Sequence, residues 1–304
     1  MKVAVIGANG QLGSDLVIAF TAAGDSVQSL MHADIELAEV KSVSSVLSGL
    51  HPDVIVNTAA MHNVENCERD PARAYAVNAI GSQNLARAAN ELPALLVHVS
   101  TDYVFDGNKR TPYEETDATL PLNVYGNTKL AGEYYIQSIA KRHQIIRTSA
   151  IYGKAPCRAK SGLNFVETML KFAREKGKVR VVDDEFVSPT FSAEIAEQIV
   201  MLSHSDLTGL FHATAEGGCS WFEFAREIFA ITGTKVVLEG AACGDFPLKV
   251  PRPKYSVLEN RALKTHRLNQ FRPWQEGLRR YLDIRNGRTA PESPRGGAVV
   301  GSKT

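Results

Sequence analysis

The stretch that decides the fold lies near the start of the chain and reads Val3-Ala4-Val5-Ile6-Gly7-Ala8-Asn9-Gly10-Gln11-Leu12-Gly13. Apolar residues run into three glycines at a spacing of three, which predicts a buried strand, a phosphate-binding turn and the start of a helix. Here Gly7 makes the tight turn, Gly10 lets the backbone approach a pyrophosphate, and Gly13 lets the helix pack closely on the strand. Three glycines can also serve packing alone, so the prediction of a nucleotide site depends on the rest of the chain.

Further apolar runs, separated by helical patterns, follow this stretch. The runs cover residues 54–57, 95–100 and 144–147, and the helical patterns cover residues 12–23, 71–90 and 129–142. Because the runs lack polar alternation, they are typical of parallel strands that are buried on both faces. The alternation predicts an α/β fold, a Rossmann-like doubly wound parallel sheet with a smaller, mostly helical substrate-binding lobe.

The same patterns predict how the chain is divided. We expect a nucleotide-binding domain at residues 1–150, to which some later segments return, and a substrate-binding lobe at residues 151–284. Helical patterns in the second half cover residues 164–176, 192–203 and 220–232. Residues 285–304 are rich in Gly, Pro, Arg and Ser and poor in large apolar side chains, which predicts a disordered tail.

The composition excludes several classes of partner. The 304 residues contain 34 Lys and Arg against 33 Asp and Glu, so the charge gives no reason to expect binding to nucleic acid or to a membrane surface. No apolar run reaches the ~18 residues of a membrane span. The cysteines form no Cys-x-x-Cys pair, so neither a metal site nor a disulfide framework is predicted. The sequence enters a strand at once, with no pattern of a secretory leader, and we expect a cytoplasmic protein.

Tyr125 and Lys129 are candidate catalytic residues, because a spacing of four places both side chains on one face of a helix. There an ammonium group can stabilise a phenolate, which makes a phenol with an ordinary pKa near ~10 a usable acid near neutrality. An isolated Tyr-x-x-x-Lys pair is more often an ordinary exposed pair than a catalytic one. The residues on both sides decide for catalysis here, because they complete a longer motif.

The longer motif closely resembles the dTDP-4-dehydrorhamnose reductases. The matching stretches are residues 100–107 (STDYVFDG), 121–133 (PLNVYGNTKLAGE), 147–149 (RTS), 183–184 (DD), 188–190 (SPT), 220–225 (SWFEFA) and 252–253 (RP). The glycine spacing of residues 7–13 likewise resembles that of extended short-chain dehydrogenases. The resemblance covers nearly all of the chain up to about residue 284, and its motifs are specific to the family and not merely to the fold.

The resemblance implies an enzyme that uses NADPH or NADH to reduce the 4-keto group of a nucleotide-linked 6-deoxyhexose. The expected substrate is dTDP-4-dehydro-L-rhamnose and the expected product is dTDP-L-rhamnose. By resemblance, Tyr125 protonates the ketone oxygen, Lys129 holds the ribose and tunes Tyr125, and Thr101 hydrogen-bonds the oxygen. The implied cofactor-binding residues are Gly7, Asn9, Gly10, Gln11, Leu12, Gly13, His32, Glu36, Leu37, Ala59, Ala60, Tyr125 and Lys129. The implied substrate-binding residues are Thr101, Asp102, Tyr103, Ala150, Asn164 and Arg252.

Several positions bear on the identity of the substrate. Tyr103 stands where nucleotide-sugar dehydratases place an acid, so dehydration is disfavoured. Ala150 stands where the family usually has a Trp beside the sugar, and Met61-His62 stands where it has Tyr or His followed by Thr. These departures leave the hydride chemistry unchanged but predict a relaxed or shifted sugar preference. The basic loop at residues 154–162 could contact a pyrophosphate, although an ordinary solvated loop is the simpler interpretation.

The choice between NADP and NAD depends on the end of the second predicted strand. NAD enzymes usually have an Asp or Glu there, which accepts from the ribose hydroxyls, whereas Leu30-Met31-His32 offers none. That lack favours NADP, with His32 near a 2′-phosphate, although a surface His is the simpler interpretation. Glu36-Leu37 resembles the acidic and aliphatic pair that flanks adenine in the family.

Two alternatives to the rhamnose precursor remain open. The first keeps the chemistry and changes the substrate to another 4-keto-6-deoxy nucleotide sugar. The second is a non-catalytic regulatory subunit, because the beta subunit of methionine adenosyltransferase resembles the same family. An intact Tyr125 and Lys129 pair does not decide against it. The resemblance also implies that two copies of the chain could pair as a homodimer.

Overall fold

The structure, a computed structural model, describes residues 1–157, 162–246 and 250–288. Its strands are β1 (Lys2–Ile6), β2 (Ser26–Leu30), β3 (Val54–Asn57), β4 (Leu95–Thr101), β5 (His143–Thr148), β6 (Ile151–Tyr152), β7 (Lys178–Val182), β8 (Phe186–Val187), β9 (Thr190–Phe191), β10 (Gly209–His212), β11 (Cys219–Ser220) and β12 (Val237–Ala241). Its α-helices are α1 (Gln11–Ala22), α2 (Val40–Leu50), α3 (Val64–Arg69), α4 (Pro71–Tyr75), α5 (Gly81–Glu91), α6 (Val124–Ile139), α7 (Phe165–Lys176), α8 (Ser192–Ser203), α9 (Trp221–Thr232), α10 (Arg261–Thr265) and α11 (Trp274–Arg285).

The centre of the fold is a six-stranded parallel sheet in the order β10-β5-β4-β3-β1-β2. The chain moves outward from β1 to β2 on one side and from β1 through β3, β4 and β5 on the other. The order therefore reverses between β1 and β3, as in doubly wound sheets. The α/β class and the parallel sheet predicted from the sequence are confirmed.

The apolar run at residues 3–6 is unbroken because β1 is buried on both faces. Val3 and Val5 pack with α1 and α8 in one core cluster. Ala4 and Ile6 point the other way and pack with α2, α5 and α6 in a second cluster. Successive side chains of a strand alternate between its faces, so a central strand covered by two helix layers must be apolar at every position.

Two predicted helices differ in detail from the observed ones. The pattern at residues 71–90 predicts one helix, but a π-helical turn at residues 76–80 separates α4 from α5. This turn carries Asn78, whose side chain accepts the Met61 N–H at 2.8 Å and donates to the Met61 carbonyl at 2.9 Å. The pattern at residues 129–142 predicts a helix that in fact begins at Val124, because the side chain of Asn123 caps it.

The second half of the chain is divided between the sheet and a smaller lobe. Helix α8 packs on the same face of the sheet as α1, and β10 pairs with β5 at one sheet edge. Helices α7, α9 and α11 share a separate apolar core in the smaller lobe, to which β7 and β12 contribute as a parallel pair. Arg285 ends α11, and residues 289–304 of the predicted tail lie outside the described residues.

Over the three described ranges, every helix is too short or too polar to cross a membrane.

Candidate active site

A cleft of about 340 Å³ opens at the carboxyl end of the sheet and receives residues from both halves of the chain. Ligands bind at this edge in open α/β sheets, beside the point where the strand order reverses. From the first half, the lining includes Gly10, Gln11, Leu12, Gly13, Ala60, Thr101, Asp102, Tyr103, Tyr125 and Lys129. Ala150 lines the cleft at the boundary between the halves, and from the second half the lining includes Asn164, Phe165, Glu185, Trp221 and Arg252. The structure thus brings all of the predicted catalytic and substrate-binding residues to one cleft.

The turn between β1 and α1 needs glycine for geometric reasons. Gly7 has a φ of +81°, and a Cβ there would stand 2.7 Å from the Thr58 hydroxyl oxygen. A Cβ on Gly13 would stand 2.1 Å from the Gly7 carbonyl oxygen. Gly10 has an ordinary φ of −83°, and its Cβ position meets only the Gly7 carbonyl oxygen, at 3.2 Å. Gly10 is therefore the glycine whose missing side chain leaves room on the cleft side.

Helix α1 begins in the cleft without a side-chain cap. The backbone N–H groups in the first turn of a helix have no partners within it, and the positive end of the helix dipole lies there. Gln11, Leu12 and Gly13 supply these groups, and all three line the cleft. The arrangement fits the phosphates of a dinucleotide, because uncapped N–H groups meet the cleft where a side chain is missing.

Tyr125 lies in the first turn of α6, just after the capping residue Asn123. Its ring packs edge-on against that of Tyr103, with the ring centroids 5.7 Å apart. Burial raises the pKa of Tyr125, the Thr101 hydroxyl lowers it, and the charge of Asp102 raises it. The phenol therefore keeps its proton at neutral pH. The sequence-based expectation had Lys129 stabilise the phenolate and bring this pKa toward neutrality, whereas burial makes this phenol a weaker acid.

Lys129 follows one turn later on α6 and is only 2% exposed. Its Nζ donates to the Val99 carbonyl oxygen at 2.7 Å and lies 3.0 Å from Nε2 of His98. The sequence-based expectation placed the ammonium beside the Tyr125 phenol, whereas these two hydrogen bonds tie the nitrogen to β4. Burial lowers the pKa of Lys129 to about 8, while the charge of Glu133 acts in the opposite direction.

Thr101 ends β4, and the residue after it holds it in place. The Thr101 hydroxyl donates to Oδ1 of Asp102 at 3.1 Å and accepts the N–H of Tyr103 at 3.2 Å. The hydroxyls of Ser149 and Ser256 donate to Oδ2 of Asp102. Burial raises the pKa of Asp102, and these hydroxyl groups lower it. The carboxylate of Asp102 thus positions Thr101 and the two segments that carry Ser149 and Ser256.

Arg252 brings a positive charge to the cleft from the second half of the chain. Its Nη2 donates to Oε1 of Glu65 at 2.6 Å. Its Nε atom is buried and has no hydrogen-bond partner among the described residues. The Arg252 charge also lowers in part the pKa of Tyr103, which burial raises. A buried N–H without a partner is a strong donor that a ligand oxygen can satisfy.

Ala150 and Asn164 reach the cleft in different ways. Ala150 has a φ of +44°, an unusual backbone conformation for a residue with a Cβ, directly before β6. Asn164 caps α7 by accepting the Glu167 N–H at 3.0 Å. Its amide group also donates to the Gly153 carbonyl at 2.9 Å and to the Tyr281 hydroxyl at 3.1 Å. The Asn164 side chain is thus committed to holding the cleft wall.

Some of the predicted cofactor residues lie outside the described cleft lining, namely Gly7, Asn9, His32, Glu36, Leu37 and Ala59. The carbonyl of Leu30, at the end of β2, accepts the Gly7 N–H at 2.8 Å, so the chain leaves β2 beside the glycine turn. The exposed His32 and the half-buried Glu36 follow there, with His32 Nδ1 3.8 Å from Glu36 Oε2. Leu37, by contrast, is buried in the sheet core.

Three residues at or below the cleft were not singled out from the sequence. Glu185 and Trp221 line the cleft from the smaller lobe; Trp221 lies in the matching stretch at residues 220–225 but was given no role there, and no local pattern marks Glu185. His98 lies beneath the cleft, fully buried in β4. A signal for His98 was available, because a polar residue interrupts an otherwise apolar buried strand.

A glycine turn at the carboxyl edge of a parallel sheet, with a Thr, Tyr and Lys in the same cleft, defines a nucleotide-dependent oxidoreductase of the Rossmann type. The family model described as "RmlD substrate binding domain" matches residues 1–286. The chain therefore belongs to the RmlD family.

Three relatives illustrate the membership. The chain is 39% identical over 285 residues to the spore coat polysaccharide biosynthesis protein SpsK of Bacillus subtilis, with 94% of this chain and 98% of that protein covered. It is 34% identical over 297 residues to dTDP-4-dehydrorhamnose reductase of Escherichia coli, with 93% and 97% covered. The crystal structure of dTDP-4-dehydrorhamnose reductase of Bacillus anthracis in complex with NADP superposes with a TM-score of 0.89 at 35% identity, with 93% and 99% covered.

Proposed function

We propose that the protein reduces the 4-keto group of a nucleotide-linked 6-deoxyhexose, with dTDP-4-dehydro-L-rhamnose as substrate and dTDP-L-rhamnose as product. The observation that carries the proposal is the meeting of Thr101, Tyr125 and Lys129 with the uncapped start of α1 in one cleft. The relatives named dTDP-4-dehydrorhamnose reductase, which match almost their whole length, support the same chemistry.

The glycine turn is the proposed site of the cofactor phosphates, and a bound NADPH or NADH supplies the hydride. The chain offers little to hold the ribose hydroxyls of NADH, because β2 ends in Leu30 and is followed by Met31 and His32. The nearest following acid, Asp34, accepts the Met31 N–H at 2.8 Å and is occupied in that turn. We therefore favour NADPH, with the exposed His32 placed to approach a 2′-phosphate. The complex of the Bacillus anthracis relative with NADP supports this choice.

Proton delivery is assigned to Tyr125. Burial raises the pKa of this phenol, so it is protonated over the whole neutral range, and its O–H is the group proposed to donate to the ketone oxygen. A raised pKa also makes the phenol a weaker acid, so the transfer depends on stabilisation of the phenolate that it leaves. Thr101 offers a hydroxyl beside Tyr125, and this hydroxyl donates its one hydrogen to Asp102. To stabilise charge on the ketone oxygen, the hydroxyl must turn that hydrogen from Asp102 toward the substrate. Lys129 supplies a nearby amine that can carry positive charge.

The nucleotide part of the substrate is assigned to the side of the cleft formed by the second half of the chain. Arg252 and Lys129 are the two Lys or Arg side chains in the described lining, and Lys129 is buried below the cleft floor. Arg252 is therefore the proposed partner of the substrate diphosphate. Phe165 and Trp221, whose ring centroids lie 4.6 Å apart, offer an aromatic surface to a base or sugar.

A second candidate substrate, another 4-keto-6-deoxyhexose nucleotide, is favoured by one observation. Ala150 lines the cleft and is a small residue where the family usually has a Trp. The similarity to SpsK, whose printed name specifies no sugar, is compatible with either substrate. The chemistry of the two candidates is the same, and the sugar alone differs.

The test is an assay of the purified protein alone. Loss of NADPH absorbance is followed with dTDP-4-dehydro-L-rhamnose and, separately, with 4-keto-6-deoxyhexose nucleotides that differ in the configuration of the sugar. Turnover with the rhamnose precursor supports the first candidate, and turnover only with another sugar supports the second. No turnover with any of them, from a protein that binds NADPH, would contradict the proposal and favour a regulatory subunit.

A further inference from the structure

Beneath the cleft, three buried polar side chains form a line that the proposed chemistry does not account for. The amide nitrogen of Asn57 lies 3.1 Å from Nδ1 of His98, and Nε2 of His98 lies 3.0 Å from Nζ of Lys129. Asn57 and His98 are each 1% exposed. Buried polar groups are held by their hydrogen bonds, so the donor or acceptor role of each atom can be assigned by counting.

The count starts at Asn57. Its side-chain oxygen accepts the Ala59 N–H at 3.1 Å, which fixes the amide orientation and turns the NH₂ group toward His98. A flipped amide would set its NH₂ group against the Ala59 N–H. Nδ1 of His98 must therefore accept a hydrogen bond, because the group that faces it is a donor.

A neutral imidazole has one N–H group, and His98 is neutral, because burial holds its pKa well below the ordinary value. With Nδ1 accepting, the proton sits on Nε2 and points at Nζ of Lys129. Lys129 then accepts from His98 with its lone pair and donates to the Val99 carbonyl oxygen. This pattern is satisfied by a neutral amine, whereas an ammonium would face the His98 N–H with a hydrogen of its own.

We infer that the Asn57–His98 pair is a positioning device that presents a donor to Lys129 and so favours its uncharged amine over the ammonium in the protein without ligands. This inference rests on the proposed function only in treating Lys129 as a catalytic residue; the hydrogen-bond roles stand without it. His98 and Asn57 act through Lys129 and are positioning residues. The pair sets the pH range in which the neighbour of Tyr125 carries charge.

The carboxylates of Glu133 and Asp102, the other charged groups near Lys129 and Tyr125, are held by hydrogen bonds to other partners. Glu133, one turn further along α6, favours the ammonium form, but both of its carboxylate oxygens accept from Arg147 on β5. Its Oε1 also accepts from the Ser100 hydroxyl on β4. From the loop after β4, Asp102 acts on Tyr125, and its carboxylate is held by three hydroxyl groups. Among the described hydrogen-bond partners of the Lys129 nitrogen, His98 is the one with a titratable side chain.

The direct test is the ¹⁵N spectrum of the histidine rings in the full-length protein without ligands, recorded above the Lys129 midpoint of about 8, with the His98 signals identified by their loss in His98→Asn. The expected result is a protonated Nε2 and an unprotonated Nδ1. Protonation at Nδ1 would overturn the inference, whether or not the protein proves to be an enzyme. The outcome is thus independent of the assay in "Proposed function".

The Asn57→Asp variant provides the second test and keeps the side-chain shape. One carboxylate oxygen can still accept the Ala59 N–H, while the other now accepts from His98 Nδ1. The ring proton should move to Nδ1, and Nε2 becomes an acceptor for the Lys129 ammonium. The Lys129 midpoint, followed by the ¹³Cε shift and identified with Lys129→Met, should rise from about 8 by about one pH unit or more. In an active enzyme, the corresponding limb of the pH profile of kcat should move with it.

His212→Asn is the matched control for loss of a buried histidine. His212 is also buried, but its Nδ1 faces the carbonyl oxygens of Tyr113 and Glu259, away from Lys129. The Lys129 midpoint should not change in this variant. An unchanged midpoint in a folded Asn57→Asp protein whose His98 proton has moved would contradict the role assigned to the pair.

Discussion

The guanidinium group of Arg147 on β5 donates to both carboxylate oxygens of Glu133 on α6, with Nε to Oε1 at 2.9 Å and Nη2 to Oε2 at 2.7 Å. The two side chains are 4% and 1% exposed. Helix α6 carries Tyr125 and Lys129, so this pair ties the candidate catalytic helix to the sheet. The geometry is bidentate, which gives direction as well as strength.

Loss of this pair should destabilise the protein strongly. In Glu133→Gln the buried Arg147 charge loses its counter-charge, and removing one partner of a buried pair typically lowers the free energy of unfolding by about 3–5 kcal/mol. Glu175→Gln, which removes an exposed partner of Lys171, should change it by less than about 0.5 kcal/mol. Urea unfolding of both variants gives the comparison. Equal small losses would show that the buried pair contributes little.

Tyr125→Phe should abolish turnover and leave the nucleotide site intact. The phenol is the group proposed to protonate the ketone, and loss of a general acid lowers kcat by about 100-fold or more. NADPH affinity should stay within a few fold, since Phe keeps the ring that packs on Tyr103. Tyr134→Phe, at a 57% exposed position on the same helix, is the control and should remain fully active. More than about a tenth of wild-type kcat in Tyr125→Phe, a loss below ~1.4 kcal/mol, would rule out the assignment.

Gly10→Val should weaken NADPH binding without unfolding the protein. The backbone at Gly10 has an ordinary φ and its Cβ position meets a single oxygen, so the variant can fold, while the branched side chain enters the cleft. We expect at least a tenfold rise in Kd, about 1.4 kcal/mol, by fluorescence titration. Gly49→Val is the matched control, because a Cβ at Gly49 meets nothing within 4 Å. Unchanged affinity in folded Gly10→Val would mean that the glycine serves packing only.

Local sequence patterns were sufficient to predict the sheet and the residues that the first half of the chain contributes to the cleft. The run at residues 3–6 alternates between two buried faces, and Tyr125 and Lys129 share one helical turn. The residues that the second half contributes were harder to predict, since Arg252 pairs with Glu65 across 187 positions of sequence. Such a contact depends on how the lobe folds over the sheet, and no spacing rule encodes it. The family resemblance, not the physical pattern, supplied Arg252.

The orientation of Lys129 illustrates a second limit. Helical spacing placed Lys129 on the same face as Tyr125. A Lys side chain is long, however, and the Lys129 nitrogen forms hydrogen bonds with His98 and Val99 beneath the cleft. Which partner such an atom takes is decided by the buried polar groups within reach. These belong to β4, and periodicity within α6 carries no information about them.

Glu194 should make stability depend on pH in an identifiable way. Burial raises its pKa from the ordinary 4.5 to about 7, while the charge of Arg280 lowers it in part. Between these values the folded chain binds more protons than the unfolded chain, so this group's stabilisation is full in acid and is lost as pH rises through about 7. Glu194→Gln should therefore reduce the fall in unfolding free energy between about pH 5.5 and pH 8. Glu239→Gln, at an exposed position, is the control, and an equal reduction there would contradict the assignment to Glu194.

The last prediction concerns the sugar. Ala150 lines the cleft next to β6, and its side chain is small where the resemblance to the reductases implies a Trp. A pocket discriminates against sugars of another shape by close contact, and a missing large side chain removes about 1–3 kcal/mol of such discrimination. We therefore expect wild type to accept dTDP-4-dehydro-L-rhamnose and its 4-keto epimers with similar kcat/KM. Ala150→Trp should raise the ratio of kcat/KM values between the preferred sugar and the others by about tenfold or more while NADPH affinity stays unchanged.

The control for this substitution is Ala150→Gly. Ala150 has a φ of +44°, which glycine adopts without strain, so the Gly variant tests the backbone while leaving the pocket open. It should keep the wild-type sugar preference. If wild type already discriminates strongly for the rhamnose precursor and Ala150→Trp leaves every kcat/KM ratio unchanged, then position 150 does not set specificity. Selection of the sugar would in that case have to come from another part of the cleft wall, such as the Phe165 and Trp221 rings.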